Sequence, residues 1–299
     1  MRIVVALGGN ALLMRGERAD ASVQLHHVEA AARALAPLAA EHELVVCHGN
    51  GPQIGLLALE SEADPSLTRP YPLDTLGAET QGMIGYWLAQ SLRNAGVRKP
   101  VLAVVTQTVV DAADPAFSAP TKFIGPVYDR GQADRLAARN GWTMAADGPH
   151  WRRVVPSPEP LRLVEQESIE QLVSGGTIVV CAGGGGAPVV DDGRLRGVEA
   201  VVDKDLSSAQ LAIALKADRL LLLTDVSAVM TDFGLPDAEP LRHLDVAEIE
   251  QLTFPTGSMG PKIEACRRFV LATGSTAAIG ALTDAEALLL GEAGTTISV

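Results

Sequence analysis

The chain has 299 residues, 47% hydrophobic and 4% aromatic, which is enough for a sizeable core in one large α/β domain or two lobes. Acidic residues outnumber basic ones 36 to 24, for a formal charge of −12, and no basic face stands out, which argues against a nucleic-acid partner or a membrane surface. No apolar window reaches membrane-helix length, Gly8-Gly9-Asn10 interrupts the apolar N-terminus before it forms a signal segment, and three scattered cysteines (Cys47, Cys181, Cys266) form no C-x-x-C pair, so a cytoplasmic, reducing location is expected.

In chain order, "RIVVALGG" is a short β-branched run ending in glycines and predicts a buried parallel strand. Apolar residues at Leu25, Val28, Ala32, Leu35 and Ala39 predict a helix over 22–40. "ELVVCHGNGPQIG" predicts a second buried strand running into a glycine-rich turn, and 75–95 a helix. "VLAVVTQT", "TIVVCAGGGG", "DRLLLLTDVSAVM" and "TAAIGAL" predict four more strands, with helices near 205–216, 259–273 and 284–290. Strands alternating with helices imply an α/β fold with a mostly parallel sheet covered on both faces. Residues 111–160, rich in Pro, Gly and aromatics, break the rhythm and are expected to form an inserted subdomain over the sheet edge.

Three predicted strands end in glycine clusters: Gly8-Gly9-Asn10, Gly49-Asn50-Gly51 and Gly183 to Gly186. Ligands of open α/β sheets bind beyond the carboxyl ends of the strands, where glycines let backbone N–H groups approach phosphate oxygens. The P-loop pattern is absent, and "GGGGAPVV" does not fit G-x-G-x-x-G, so neither a P-loop protein nor a Rossmann dehydrogenase is expected. His48 follows a strand and borders a glycine turn; a place near substrate and a packed strand-end role are both open. Three lysines sit in loop-like or helix-start settings: Lys204 between Asp203 and Asp205, Lys262 after "TGSMGP", and Lys122 in "APTKFIGP". Phosphoryl transfer needs positive charge on the phosphate oxygens, and a lysine supplies a point charge that an adjacent carboxylate can aim.

The segments "ALGGNAL", "CHGNGPQIG", "ETQGMIGY", "DPAFSAPTKFIGPVY", "WRRVVPSPEP", "AGGGGAPVV", "GVEAVVDKDLSSAQLA", "LLLTDVSAVM" and "GSMGPKIEA" together resemble the carbamate kinases of the amino acid kinase superfamily. The resemblance runs from residue 6 to about residue 265. It implies a three-layer α/β/α sandwich with an open sheet, with 1–175 as substrate lobe, 176–299 as nucleotide lobe and about 111–160 as the inserted cover. It implies a homodimer transferring phosphoryl between carbamoyl phosphate and ADP, with Mg2+ held mainly by nucleotide phosphates and no protein metal site. By the same resemblance, Lys204 and Lys262 would contact the transferred phosphoryl, Asp205 would orient them, and Lys122 would reach over the small substrate. Gly8, Gly9 and Asn10 would contact phosphate; Gly49, Asn50 and Gly51 would bind the carbamate end. Thr224, Asp225, Met230, Ser258 and Met259 would line the adenosine. Phe123 stands where proline is frequent in the family, and Ser227-Ala228 where Asp-Gly is frequent.

Two other readings stand beside this one. A related kinase of another small acid would lack a reason for Lys122 in the insertion. A nucleotide-binding regulatory module without turnover would have no use for all three lysines and Asp205.

Overall fold

Short β-branched and leucine-rich runs assemble into a central sheet whose order is His243–Asp245, Thr295–Ser298, Thr276–Ala281, Arg219–Thr224, Arg2–Leu7, Glu43–His48, Ile178–Val180 and Val101–Ala103. This computed structural model describes residues 1–14, 16–231, 237–254 and 259–299. The six strands from Thr276–Ala281 to Val101–Ala103 run parallel. Thr295–Ser298 closes the other side antiparallel to Thr276–Ala281 and pairs parallel with His243–Asp245.

Successive strand side chains point to opposite faces, and both faces are covered. Val4, Ala6, Val45, Leu220 and Leu222 pack against the helices Gln166–Ser174, Lys204–Ala214 and Met259–Thr273. Ile3, Val5, Leu7, Val46 and Leu221 pack against Ala21–Glu41 and Leu73–Asn94. The fold is therefore a three-layer α/β/α sandwich. Each aliphatic side chain buried this fully contributes about 1.5–3 kcal/mol, so the strands that carry the site loops sit on a stiff base.

Two segments differ from the sequence expectations. "VLAVVTQT" is not one strand: Val101–Ala103 stays in the central sheet, while Gln107–Val109 joins a second sheet between Ala187–Asp191 and Arg162–Leu163. The break falls at buried Thr106, whose N–H donates to the Gln81 side chain at 2.9 Å instead of continuing the strand ladder. The second glycine turn does not remain a loop either. It opens the helix Gly51–Ala63, with proline in the first turn, where its missing N–H costs nothing.

Within 111–160, the strands Lys122–Tyr128, His150–Val155 and Thr143–Asp147 form an antiparallel sheet beside the helix Arg130–Asn140. Asp129 and Gln132 close that helix start with a reciprocal capping box. Arg130 stacks over Trp151 and Arg153 over Trp142, each 4.2 Å from the ring centroid, contacts suited to a layer with few aliphatic residues. The layer rests on Gly51–Ala63 by backbone contact. A Cβ on Gly55 would lie 1.9 Å from the Gly125 Cα, so only glycine fits at that crossing.

Candidate active site

The glycine turns meet at the carboxyl ends of the parallel strands. Gly8 N–H donates to Leu223 O at 2.8 Å, and Gly49 N–H to Leu7 O at 3.0 Å, so the turns extend the ladder of their own strands. A Cβ built on Gly49 would lie 3.0 Å from Gly9 N and 3.5 Å from Lys204 Cε. The first two turns and Lys204 are thus side by side, at the edge where open α/β sheets bind ligands.

Lys204 opens the helix Lys204–Ala214. The preceding Asp203 caps it, its Oδ1 accepting from Asp205 N at 2.9 Å and Leu206 N at 3.3 Å. Asp205 lies within the first turn, where the helix dipole favours a carboxylate. It accepts hydrogen bonds from both Lys204 Nζ and Lys262 Nζ, the latter at 3.1 Å. Lys262 comes from the helix Met259–Thr273, so one buried carboxylate joins two helices and two ammonium groups. Burial pulls the Lys204 ammonium below the ordinary lysine range despite Asp205. For Lys262 burial acts the same way, but Asp205 outweighs it and holds the group above that range. Burial would raise the Asp205 carboxyl; the two lysines overcome it and hold the carboxyl far below the usual range. Lys122 arrives from the inserted layer and pairs with Asp203 Oδ2. An ammonium beside the glycine turns, a second on the same carboxylate and a third on the neighbouring Asp203 can hold a multiply charged oxyanion and offset charge developing on it.

The remaining sequence-predicted residues lie as follows. Gly51 opens the helix Gly51–Ala63, within 3.7 Å of the Phe123 carbonyl for an added Cβ. Thr224 ends the strand beside Gly8 and donates to Asp225 at 3.0 Å; the Asp225 charge also acts on Lys262. Met230 lies in a short strand paired with Pro240–Leu241, and Met259 begins the Lys262 helix. Ala228 is buried and Ser227 exposed. Ser258 and the Asn10 side chain lie outside the described residues.

Asn50 does not face outward. Its Nδ2 donates to Thr80 Oγ1 at 2.8 Å, and a Cβ on Gly184 would strike its amide at 2.1 Å. The Gly183 to Gly186 turn is therefore a fitted surface: Gly184, Gly185 and Gly186 hold φ of +61°, +87° and +87°, and Gly185 O accepts from Thr108 Oγ1 at 2.6 Å and Ser207 Oγ at 2.7 Å. Thr80 and Gln81, both from "ETQG", are the support that residue types alone did not single out. Gln81 clasps Thr106 through its N–H and hydroxyl, both at 2.9 Å, and Thr106 Oγ1 in turn accepts from Ala182 N at 3.0 Å. The signal was present as adjacent polar residues inside a mostly apolar helix face.

His48 is 1% exposed, and its Nδ1–H donates to Gly49 O at 3.0 Å, a tautomer set by that acceptor. Burial, helped by the Lys204 charge, lowers its pKa to about 4, so the native ring is neutral at pH 7. Between pH 6.5 and about 4 the unfolded chain binds a proton that the native chain refuses. Stability is complete above pH 6.5 and falls as pH falls. Unfolding titrations at pH 7 and pH 5 are expected to show about 2 kcal/mol lost through this group, and His48→Gln should flatten that slope. Equal slopes in both proteins would remove His48 as the cause.

Among the described residues, no group of three or more His, Cys, Asp or Glu side chains is placed to hold a metal, and no helix is long and apolar enough to cross a membrane. The three cysteines are free and buried.

The family model for the amino acid kinase family matches residues 1–280. The carbamate kinase of Rhizobium meliloti (strain 1021) is 51% identical over 303 residues, covering 100% of this chain and 93% of that protein. The carbamate kinase of Escherichia coli (strain K12) is 49% identical over 297 residues, covering 99% of each. The structure of the carbamate kinase from Giardia lamblia bound to AMP-PNP superposes with a TM-score of 0.89 at 38% identity, covering 99% of this chain and 98% of that one.

Proposed function

The chain belongs to the amino acid kinase family and, within it, to the carbamate kinases, and on that footing we propose that it catalyses reversible phosphoryl transfer between carbamoyl phosphate and ADP, giving ATP and carbamate. The observation that carries the mechanism is the Lys204–Asp205–Lys262 cluster beside the Gly8-Gly9 and Gly49 turns. An oxygen of the ADP terminal phosphate attacks phosphorus in line, the bond from phosphorus to the carbamate oxygen breaks, and carbamate leaves with the electron pair. No covalent enzyme intermediate is needed. Lys204 and Lys262 neutralise charge on the transferring phosphoryl while Asp205 fixes their direction. Gly8, Gly9 and Asn10 present backbone to phosphate. Gly49, Asn50 and Gly51 bound the carbamate end, with Lys122 over it. Thr224, Asp225, Met230 and Met259 line the adenosine. Magnesium carried on the nucleotide phosphates would supply positive charge there; an ion that keeps most of its waters needs no protein cage.

The same reading makes 1–175 the substrate lobe, 176–299 the nucleotide lobe and 111–160 the cover, in a cytoplasmic homodimer. Three free thiols fit a reducing compartment. Tyr86, Leu102 and Val105, 58%, 44% and 49% exposed, lie near the sheet edge formed by Val101–Ala103, an apolar surface suited to a second copy.

The test is ATP formation from ADP and carbamoyl phosphate with Mg2+, on protein whose solution mass is first read by light scattering and expected to equal two chains. ATP is the readout because carbamoyl phosphate decomposes unaided. Wild type should make ATP, and Lys122→Ala should lose about 10²-fold in kcat/KM, the scale of one charged contact to the reacting group. Nucleotide binding without ATP would transfer the reading to another acceptor or to a regulatory module, and a single-chain mass would remove the dimer.

A further inference from the structure

Asp203 takes no part in the mechanism above, yet it touches both the Lys204 helix and the inserted layer. Its Oδ1 accepts the two backbone N–H groups that start the Lys204–Ala214 helix, at 2.9 and 3.3 Å. Its Oδ2 accepts from Lys122 Nζ, 81 residues away, at the first position of the strand Lys122–Tyr128. The Asp203 side chain is 13% exposed and that of Lys122 29%. Burial pushes the Asp203 carboxyl up, but the ammoniums of Lys122 and Lys204 together outweigh it and hold the group below the ordinary range.

We infer that Asp203 is a positioning residue for the reaction: through one oxygen it sets the helix that aims Lys204, and through the other it seats Lys122 over the small substrate. A lysine ammonium on a four-carbon stem has many rotamers, and an unseated Lys122 would have to be ordered by substrate at each turnover. With one N–H on Asp203, two remain for substrate oxygens. The pairing also sets the distance between the cation of the inserted layer and the cations on the phosphoryl, because one residue anchors both. The crossing of Gly55 and Gly125 bears on the same strand from below, so its backbone is held as well as its side chain. The inference rests on the kinase reading for its kinetic arm, but not for its structural one.

Asp203→Asn separates the two roles. Asparagine is as good an N-cap acceptor as aspartate but carries no charge for Lys122. The expected result is a KM for carbamoyl phosphate raised about tenfold, the loss of one charge-assisted hydrogen bond, with KM for ADP and Tm near wild type. Asp203→Ala should lower Tm as well. In a Lys122→Ala background Asp203→Asn should add nothing further, because Asp203 acts through that lysine. Hydrogen exchange reads the seat without turnover: Asp203→Asn should speed exchange in the strand Lys122–Tyr128 and leave the helix Lys204–Ala214 protected. If wild type makes no ATP, the kinase reading fails while the exchange result still decides the seat. The inference is overturned by equal rises in both KM values, by additivity of Asp203→Asn with Lys122→Ala, or by unchanged exchange in that strand.

Discussion

Lys204→Met is expected to lower kcat about 10²–10³-fold while leaving the protein folded with a near-normal Tm. The Lys204 side chain is 9% exposed, and its charge is held in place against burial by Asp205. A preorganised charge in a dry site acts most strongly on the transition state, where charge on the phosphoryl oxygens is redistributed, so the loss should fall on kcat more than on KM. Methionine keeps the length and the packing of the stem. Asp205 keeps Lys262 at 3.1 Å, so no buried carboxylate is orphaned. The pH profile separates the two lysines. Burial makes Lys204 give up its proton below the ordinary lysine range, and the charged form is the active one, so wild-type kcat should fall as pH rises through that lowered value. Lys262, raised by Asp205, does not titrate there. A kcat within about threefold of wild type in Lys204→Met, well under the effect of one preorganised donor, would remove Lys204 from the chemistry.

What could be read along the chain follows from how local each feature is. Apolar strands announced themselves because all their contacts are apolar on both faces, as in "RIVVAL" and "RLLLLT". The glycine turns and Lys204 stood out because a charged residue next to a buried helix start is costly without a task. Pairings across long separations were not legible. Asn50 meets Thr80 and Gly184, Gln81 meets Thr106, and Lys122 meets Asp203, and nothing near any of these residues in sequence marks its partner. The split of "VLAVVTQT" has the same origin, since a side chain from the helix Leu73–Asn94 takes the N–H that a strand would have used. The inserted layer gave only a compositional signal. Its strands mix Arg, Trp and Gly, and stacking of guanidinium on indole supplies what aliphatic alternation supplies elsewhere.

Asp205→Asn should abolish turnover and, unlike Lys204→Met, also destabilise the fold. The carboxylate is 5% exposed and serves two ammonium groups that are 9% and 14% exposed. An amide of the same shape keeps the packing and removes the charge to which both lysines donate hydrogen bonds. Breaking a buried pair from one side costs about 3–5 kcal/mol, because the partner is left uncompensated; here two partners are left, facing each other. For a chain of this size that corresponds to a Tm lower by roughly 10 °C. The sign can be checked with acid. The Asp205 carboxyl is held far below its unfolded value, so its contribution is complete above the ordinary carboxylate range and is lost as pH falls toward the native value. The Tm gap between wild type and variant should therefore be full at pH 7 and narrow in strong acid. Adding Lys204→Met to Asp205→Asn removes one of the two facing ammoniums and should return part of the lost Tm without restoring activity. A second substitution that stabilises a first, in an enzyme already inactive, separates repulsion between charges from damaged packing. If Asp205→Asn melts with wild type, the two lysines are not held by its charge, and the aiming role assigned to this carboxylate goes with it.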